Sequence, residues 1–379
     1  MVAGFLSILW MSNFFTEYSV LFSRVINYAY PFSVFILYLA TSYLRISSQL
    51  LIHVFVLIFI MIISAVLTNY ENDLKNVVNQ TIFLTGSILY ASFMSRSEHL
   101  IERVIYFKMV LLISIYILVS ILFIINIDEV YLSYNSLYLN LSDMYLTKQD
   151  LSEIMIILIA LTLNVRNRKI ILILIILSLP IMLGLRTLVA TFLGIVIFHK
   201  IRNLGLLRYL KYSFLLFLLV PFVLDEIPNW LYFDVRAIYF REVFSELYAN
   251  PFGVGLWSVN EYLTNVHLII PAKISSELGI SGPFDFIHRP MTSLESDFLF
   301  LIMNMGVLGL FIYVAYIHMI DKFIEFCGNR SDAAQSLSNL LVGYFVAGFF
   351  EDYAFTVSWW MVHALAVAYA LREQRRRGR

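Results

Sequence analysis

Polar residues interrupt this 379-residue chain only sparsely, and the apolar runs between them set the architecture. In order, the runs lie near residues 2–16, 27–44, 49–68, 80–95, 104–126, 150–165, 169–185, 187–200, 209–225, 297–320, 334–350 and 354–371. A hydrocarbon core about 30 Å thick takes about 20 helical residues, so these runs predict about twelve transmembrane helices, several of them short. The expected fold is therefore all-α and polytopic. The run 2–16 has no basic residue ahead of its apolar part and no small-residue cleavage site, so it reads as a retained span rather than a signal peptide. The one long polar interruption belongs to the stretch Asp225–Gly309, and the loop within it, 228–292, is predicted to be partly helical. Roughly 65 residues is far more than a connection between spans needs, and a loop of that length is either functional or disordered. Trp230, Trp257 and regularly spaced apolar residues argue against disorder, because disordered segments are poor in aromatics.

Composition agrees with the pattern. Apolar residues make up 60% of the chain and charged residues 14%, which excludes a soluble domain. The single cysteine, Cys327, excludes an internal disulfide, a zinc ribbon and a thioredoxin-like motif. Formal net charge is zero, so the placement of the charges carries the information.

That placement fixes a topology. The stretch 169–200 is too long for one span and is interrupted by Pro180, Gly184 and Arg186. Basic clusters flank it, VRNRK before and HKIRNLGLLRYLK after, and the positive-inside rule puts both ends in the cytoplasm. Arg186 then sits at the outer turn of a helical hairpin. Propagated along the chain, this choice places both termini, the tail REQRRRGR and Arg45, Arg96, Arg103 and Lys108 inside. It places the acidic segments IDEVYLSYNSLYLNLSD and DEIPNWLYFD, and the loop 228–292, outside. No internal repeat or low-complexity linker divides the chain. Residues 1–379 are expected to form a single membrane domain with one elaborated extracytoplasmic loop.

Chemistry is therefore sought on the outer face. No P-loop and no glycine-rich dinucleotide fingerprint is present, and His267 and His288 lack metal-ligand spacing. No cofactor, no metal and no nucleic-acid partner are expected. Arg236 and Arg241 lie in VRAIYFREVFSELY, whose apolar spacing fits an amphipathic surface helix. Two readings stand for them: pairing with Asp234, Glu242 or Glu246, or gripping a phosphate through forked hydrogen bonds. Asn250-Pro251-Phe252-Gly253-Val254-Gly255 follows, either as a turn ending the preceding helix or as a loop whose bare backbone at Gly253 and Gly255 admits a ligand. Thr292 and Glu295 have capping-box spacing at the start of the next run. Glu295 and Asp297 also stand where a general base would serve.

Taken together, GLRTLVATFLG on an outward hairpin, Arg236 upstream of the Asn-Pro-Phe-Gly-Val-Gly segment, and a run opening ESDFLFLIMNMGVLG resemble the Wzy-type O-antigen polymerases and the related O-antigen ligases. The similarity covers roughly residues 170–320. The resemblance implies a GT-C-type glycosyltransferase of the bacterial cytoplasmic (inner) membrane, with its active face periplasmic, acting in lipopolysaccharide biosynthesis. Its substrate would be undecaprenyl-diphosphate-linked oligosaccharide held in membrane lipid, with a chain-length regulator and a flippase as partners. It further implies that Arg186 and Arg236 contact the lipid diphosphate. Charge developing on the leaving phosphate adds Arg241 or Arg289 as assisting groups, and Glu295, or alternatively Asp297 or His288, is the expected acceptor of the sugar hydroxyl's proton. The ligase pattern of His, any residue, Asn, Ser or Gln, nine residues, then Gly-x-x-Gly is met at Ser296, Gly306 and Gly309, but Leu294 stands at the histidine position. That departure favours the polymerase over the ligase. A lipid-linked oligosaccharide flippase of similar size is the non-enzymatic alternative; it has no need of a structured outer loop, and the near absence of mid-span charges argues against it.

Overall fold

The computed structural model describes residues 71–95, 100–106, 131–133, 136–138, 148–163, 192–198, 249–255, 297–327, 331–348 and 357–377, with scattered positions at 55–66 and 110–117. In chain order the elements are α1 (Glu71–Met94), β1 (Tyr131–Ser133), β2 (Ser136–Tyr138), α2 (Lys148–Thr162), α3 (Asp297–Cys327), α4 (Asp332–Ala347) and α5 (Val357–Arg377). Helix thus dominates the described residues, as the apolar runs predict. By length and composition α3 qualifies as a membrane-crossing helix, and Glu153–Thr162 is a shorter apolar one.

Element ends depart from the runs where polarity and helicity part company. α1 begins at Glu71, well before the apolar run at residue 80. α5 continues past residue 371 through Arg375, Arg376 and Arg377, whose charges favour the negative end. The β1–β2 hairpin was not predicted. It pairs Tyr131 with Tyr138 and Ser133 with Ser136, inside the segment assigned outside on charge alone.

Packing joins distant stretches. α1 lies along α5 in the most extensive helix contact among the described residues. Buried small residues occur on both helices, Ser87, Ala91 and Ser92 on α1 and Ala364, Ala366 and Ala368 on α5. Such residues let backbones approach closely. α4 packs on α2 and on the helical piece 192–198. A Cβ at Gly343 would lie 2.8 Å from Ile156 Cγ2 and 3.0 Å from Ile195 Cδ1, so the three segments converge there. Ser331 caps α4 by accepting from the Ala334 N–H at 3.2 Å, and its hydroxyl meets the Tyr369 hydroxyl of α5 at 2.7 Å. At the same end, Arg372 donates to Glu102 at 2.7 Å and lies over the Tyr369 ring.

Within the α2–α4 contact, the Tyr344 hydroxyl donates to the buried Glu153 carboxylate at 2.6 Å. Tyr344→Phe removes that donor and is expected to cost about 1–3 kcal/mol, because a buried acceptor loses a partner. A lowered thermal midpoint of the purified protein in detergent checks this, and an unchanged midpoint would show that the bond contributes nothing net.

The largest departure from expectation is α3. Its run was predicted as one continuous helix, 297–320. Instead the helix is broken at Gly306, which has φ 57° and ψ −134°. The arms 297–305 and 307–327 fold back on each other. The Phe298 and Tyr313 rings lie 5.1 Å apart, whereas an unbroken helix would separate these positions by about 22 Å. Gly309 rests against the Leu301 carbonyl so tightly that no side chain fits between them.

Candidate functional site

What holds the break open is the Asn250–Gly255 segment. Helix interruption leaves backbone donors and acceptors without intrahelical partners, and buried groups of that kind must be satisfied elsewhere. Here the Val254 N–H donates to the Met303 carbonyl at 2.8 Å and the Gly255 N–H to the Asn304 carbonyl at 3.0 Å. In return the Val307 N–H donates to the Pro251 carbonyl at 2.8 Å. The segment is also the turn that its sequence suggests, closed by Gly253 N–H to the Asn250 carbonyl at 2.9 Å. It thus turns and docks at once.

Glycine is required on both sides of this contact. Gly253 and Gly255 have φ of 83° and 106°, in the left-handed half of conformational space that side chains avoid. A Cβ at Gly253 would lie 2.6 Å from the Asn304 carbonyl carbon and from the Gly306 nitrogen. A Cβ at Gly306 would run into the Pro251 carbonyl. Asn304 is fully buried at the break, and its side-chain amide donates back to the Phe300 carbonyl at 2.7 Å. The two glycine positions singled out in the loop are therefore occupied by protein backbone, the role that a bound ligand was alternatively expected to fill.

At the far end of the short arm lies Asp297, 4% exposed. Its N–H donates to the Gly348 carbonyl at 2.7 Å, and its carboxylate presses on the Cα side of Gly348 where α4 ends. The fold-back also brings it within electrostatic reach of Tyr313 and Tyr316 on the long arm. Tyr316 in turn packs on Trp359 and His363 of α5, with ring centroids 5.6 and 5.1 Å away. The His363 ring lies 4.0 Å from that of Trp359, and its Nδ1 is 2.6 Å from the Trp359 carbonyl. A carbonyl only accepts, so Nδ1 carries a proton there.

Of the residues predicted from sequence, Asp297, Gly253 and Gly255 are placed, and the break brings the loop glycines and the acid-bearing arm into one assembly. Arg186, Arg236, Arg241, Arg289, Glu295 and His288 lie outside the described residues. Sequence reasoning missed Tyr313, Tyr316, Trp359 and His363. Their spacing, three apart in α3 and four apart in α5, was the available signal of polar aromatics sharing one helix face. Among the described residues no three of His, Cys, Asp and Glu converge to hold a metal ion. Compared with protein-family models, curated proteins and solved structures, the chain gives no match.

Proposed function

We propose that this chain is an integral membrane glycosyltransferase that polymerises undecaprenyl-diphosphate-linked repeat units into O-antigen or a related surface polysaccharide at the periplasmic face. The observation that carries the reading is the contact between its two most telling motifs. The Asn250–Gly255 segment and the ESDFLFLIMNMGVLG run, separate in sequence, are joined by backbone hydrogen bonds at the Gly306 break. A broken helix at membrane depth is tolerated where protein covers the freed backbone, and the loop supplies that cover.

Exposed apolar stripes support the membrane part of the proposal. Phe55, Phe59, Ile62 and Val66 form one, Tyr106, Val110 and Ile117 another, and Val307, Phe311 and Val314 a third. Helical stripes of that kind belong against lipid rather than water. The long arm 307–327 would be the span, at about 31 Å for 1.5 Å per residue, and the short arm would pack beside it rather than enter the bilayer as a span of its own. About twelve helices in a single domain, 1–379, with the loop 228–292 outside, complete the proposed architecture.

In the proposed reaction the acceptor sugar hydroxyl attacks the anomeric carbon of the lipid-linked donor, and the bond from that carbon to the diphosphate oxygen breaks. Charge develops on the leaving diphosphate, so Arg186 and Arg236, with Arg241 or Arg289, stabilise the transition state more than the ground state. The acceptor proton passes to Glu295, with Asp297 and His288 as the alternative bases. Deletion of the gene tests the assignment. Surface lipid bearing a single repeat unit is the expected product. Lipid with no repeat unit would point to a ligase or a flippase, and an unchanged ladder would exclude all three.

A further inference from the structure

We infer that the last turn of α5 and the helical stretch 100–106 together bind the phosphate of an anionic phospholipid, in the leaflet which that end of α5 faces. Only the membrane part of the proposed function is needed for this, not the transferase chemistry.

Arginines at this end divide into one that is buried and paired and others that are exposed. Arg372, 5% exposed, donates to Glu102 at 2.7 Å and lies 3.9 Å from Glu373. Glu373 also meets Arg376 at 3.4 Å. Both carboxylates are thus committed. Arg103, Arg375 and Arg377 are exposed and make no ion pair among the described residues. Their positive charge is left over.

The Arg372–Glu102 pair sets where that charge lies. Arg375 and Arg376 follow Arg372 by three and four positions, so they share its face of α5, about 5 Å farther along the axis. Arg103 adjoins Glu102 on the helix that Arg372 holds. Arg103 and Arg375 therefore stand on neighbouring helices at one end of the bundle. Arg377 is turned the other way, with its guanidinium 4.1 Å above the Phe326 ring of α3.

What this surface would take follows from its surroundings. Arg103, Tyr106, Val110 and Ile117 are spaced by three, four and seven, so they fall on one helical face, and all four are exposed. A phospholipid presents its parts in the same order, phosphate, interface and hydrocarbon. Guanidinium grips phosphate through forked hydrogen bonds, tyrosine is favoured where headgroups meet hydrocarbon, and the apolar stripe lies along the acyl chain. A free anion would use only the first of these. The dipole of α5 accounts for cations in its own last turn, but not for an arginine on the helix beside it at the head of an apolar stripe.

Native mass spectrometry of the purified full chain, released from detergent containing equal amounts of phosphatidylglycerol and phosphatidylcholine, tests the site. The wild type should retain phosphatidylglycerol at least about tenfold over phosphatidylcholine. Arg103→Gln and Arg375→Gln should each lower that ratio about fivefold, the equivalent of about 1 kcal/mol per arginine near an anionic surface. Lys322→Gln removes an exposed cation already paired with Glu325 at 2.7 Å, and should change the ratio less than twofold. No preference in the wild type overturns the site, and so does an equal fall in Lys322→Gln, which would mark diffuse charge. A preference that survives Arg103→Gln, or that inorganic phosphate abolishes, overturns it as well. Should Arg103→Gln fail to fold, Arg103→Lys keeps the charge without the fork and should lower the ratio about twofold; a wild-type ratio there overturns the grip. Release of the chain from membranes by alkaline carbonate would instead overturn the membrane reading, whatever the lipid ratios.

Discussion

Gly306→Ala is expected to destabilise the protein by at least about 3 kcal/mol, the largest stability effect of any single methyl addition among the described residues. The backbone at φ 57° and ψ −134° is open to glycine and strained for alanine by about 1–3 kcal/mol. The added carbon also meets the Pro251 carbonyl and, at 2.7 Å, the Gly253 nitrogen. Both are backbone atoms that cannot rotate aside, so the contact between Asn250–Gly255 and the break opens and its hydrogen bonds are lost, each worth about 0.5–1.5 kcal/mol net. Gly194→Ala is the comparison. Its Cβ would lie 2.9 Å from Val346 Cγ1, a side-chain methyl rather than a backbone atom, and the expected loss is about 1 kcal/mol, the low end for an added methyl. Thermal unfolding of the two purified variants in matched detergent reads the difference. Equal midpoints would mean that α3 runs unbroken through residue 306.

Glu295→Gln carries the largest expected effect on activity. As the base, Glu295 must accept a proton, which an amide cannot do, so chain extension should fall by roughly two to four orders of magnitude. Surface lipid with a single repeat unit would accumulate. As a capping residue it would lose almost nothing, since glutamine serves the capping box nearly as well; even a lost cap costs only about 1 kcal/mol. The comparison variant is Asp297→Asn. Asp297 is held against Gly348 and beside Tyr313 and Tyr316, so its loss should affect protein level as well as extension. A ladder of normal length from Glu295→Gln, at normal protein level, would move the base to Asp297 or His288.

The helices were legible wherever an apolar run and a helix are the same object. α2 and α4 lie within about two or three residues of runs marked by hydropathy alone. The break in α3 was not legible, and the reason is specific. Gly306 and Gly309 in an apolar run read equally well as a close-packed continuous helix, because small residues are common where membrane helices touch. What decides between the two is a partner in a separate stretch of chain, the carbonyl of Pro251 and the N–H groups of Val254 and Gly255. No local pattern around Gly306 reports on them. The glycines of Asn250–Gly255 were recognised as permitting unusual backbone, but whether ligand or protein approaches a bare backbone is a tertiary fact. In the same way, Asp297 reads as the mouth of a span until the fold-back carries it beside Tyr313 and Tyr316.

The seam between α1 and α5 sets a clock. Its two helices are separated by roughly 260 residues, which take about 13–50 s to synthesise at about 5–20 residues per second. For that interval α1 exists without the surface it is shaped to meet. Some of the hydroxyls along this stretch are bonded locally, whereas the buried Ser87 and Ser92 hydroxyls have no hydrogen-bond partner. Thr81 donates to the Val77 carbonyl at 2.7 Å, Thr85 to Thr81 at 2.7 Å, and Ser95 to Ser92 at 2.8 Å. None of these bonds needs α5. The threonine bonds are therefore in place before the late partner exists, and the two buried serines are what the early helix carries unbonded until then.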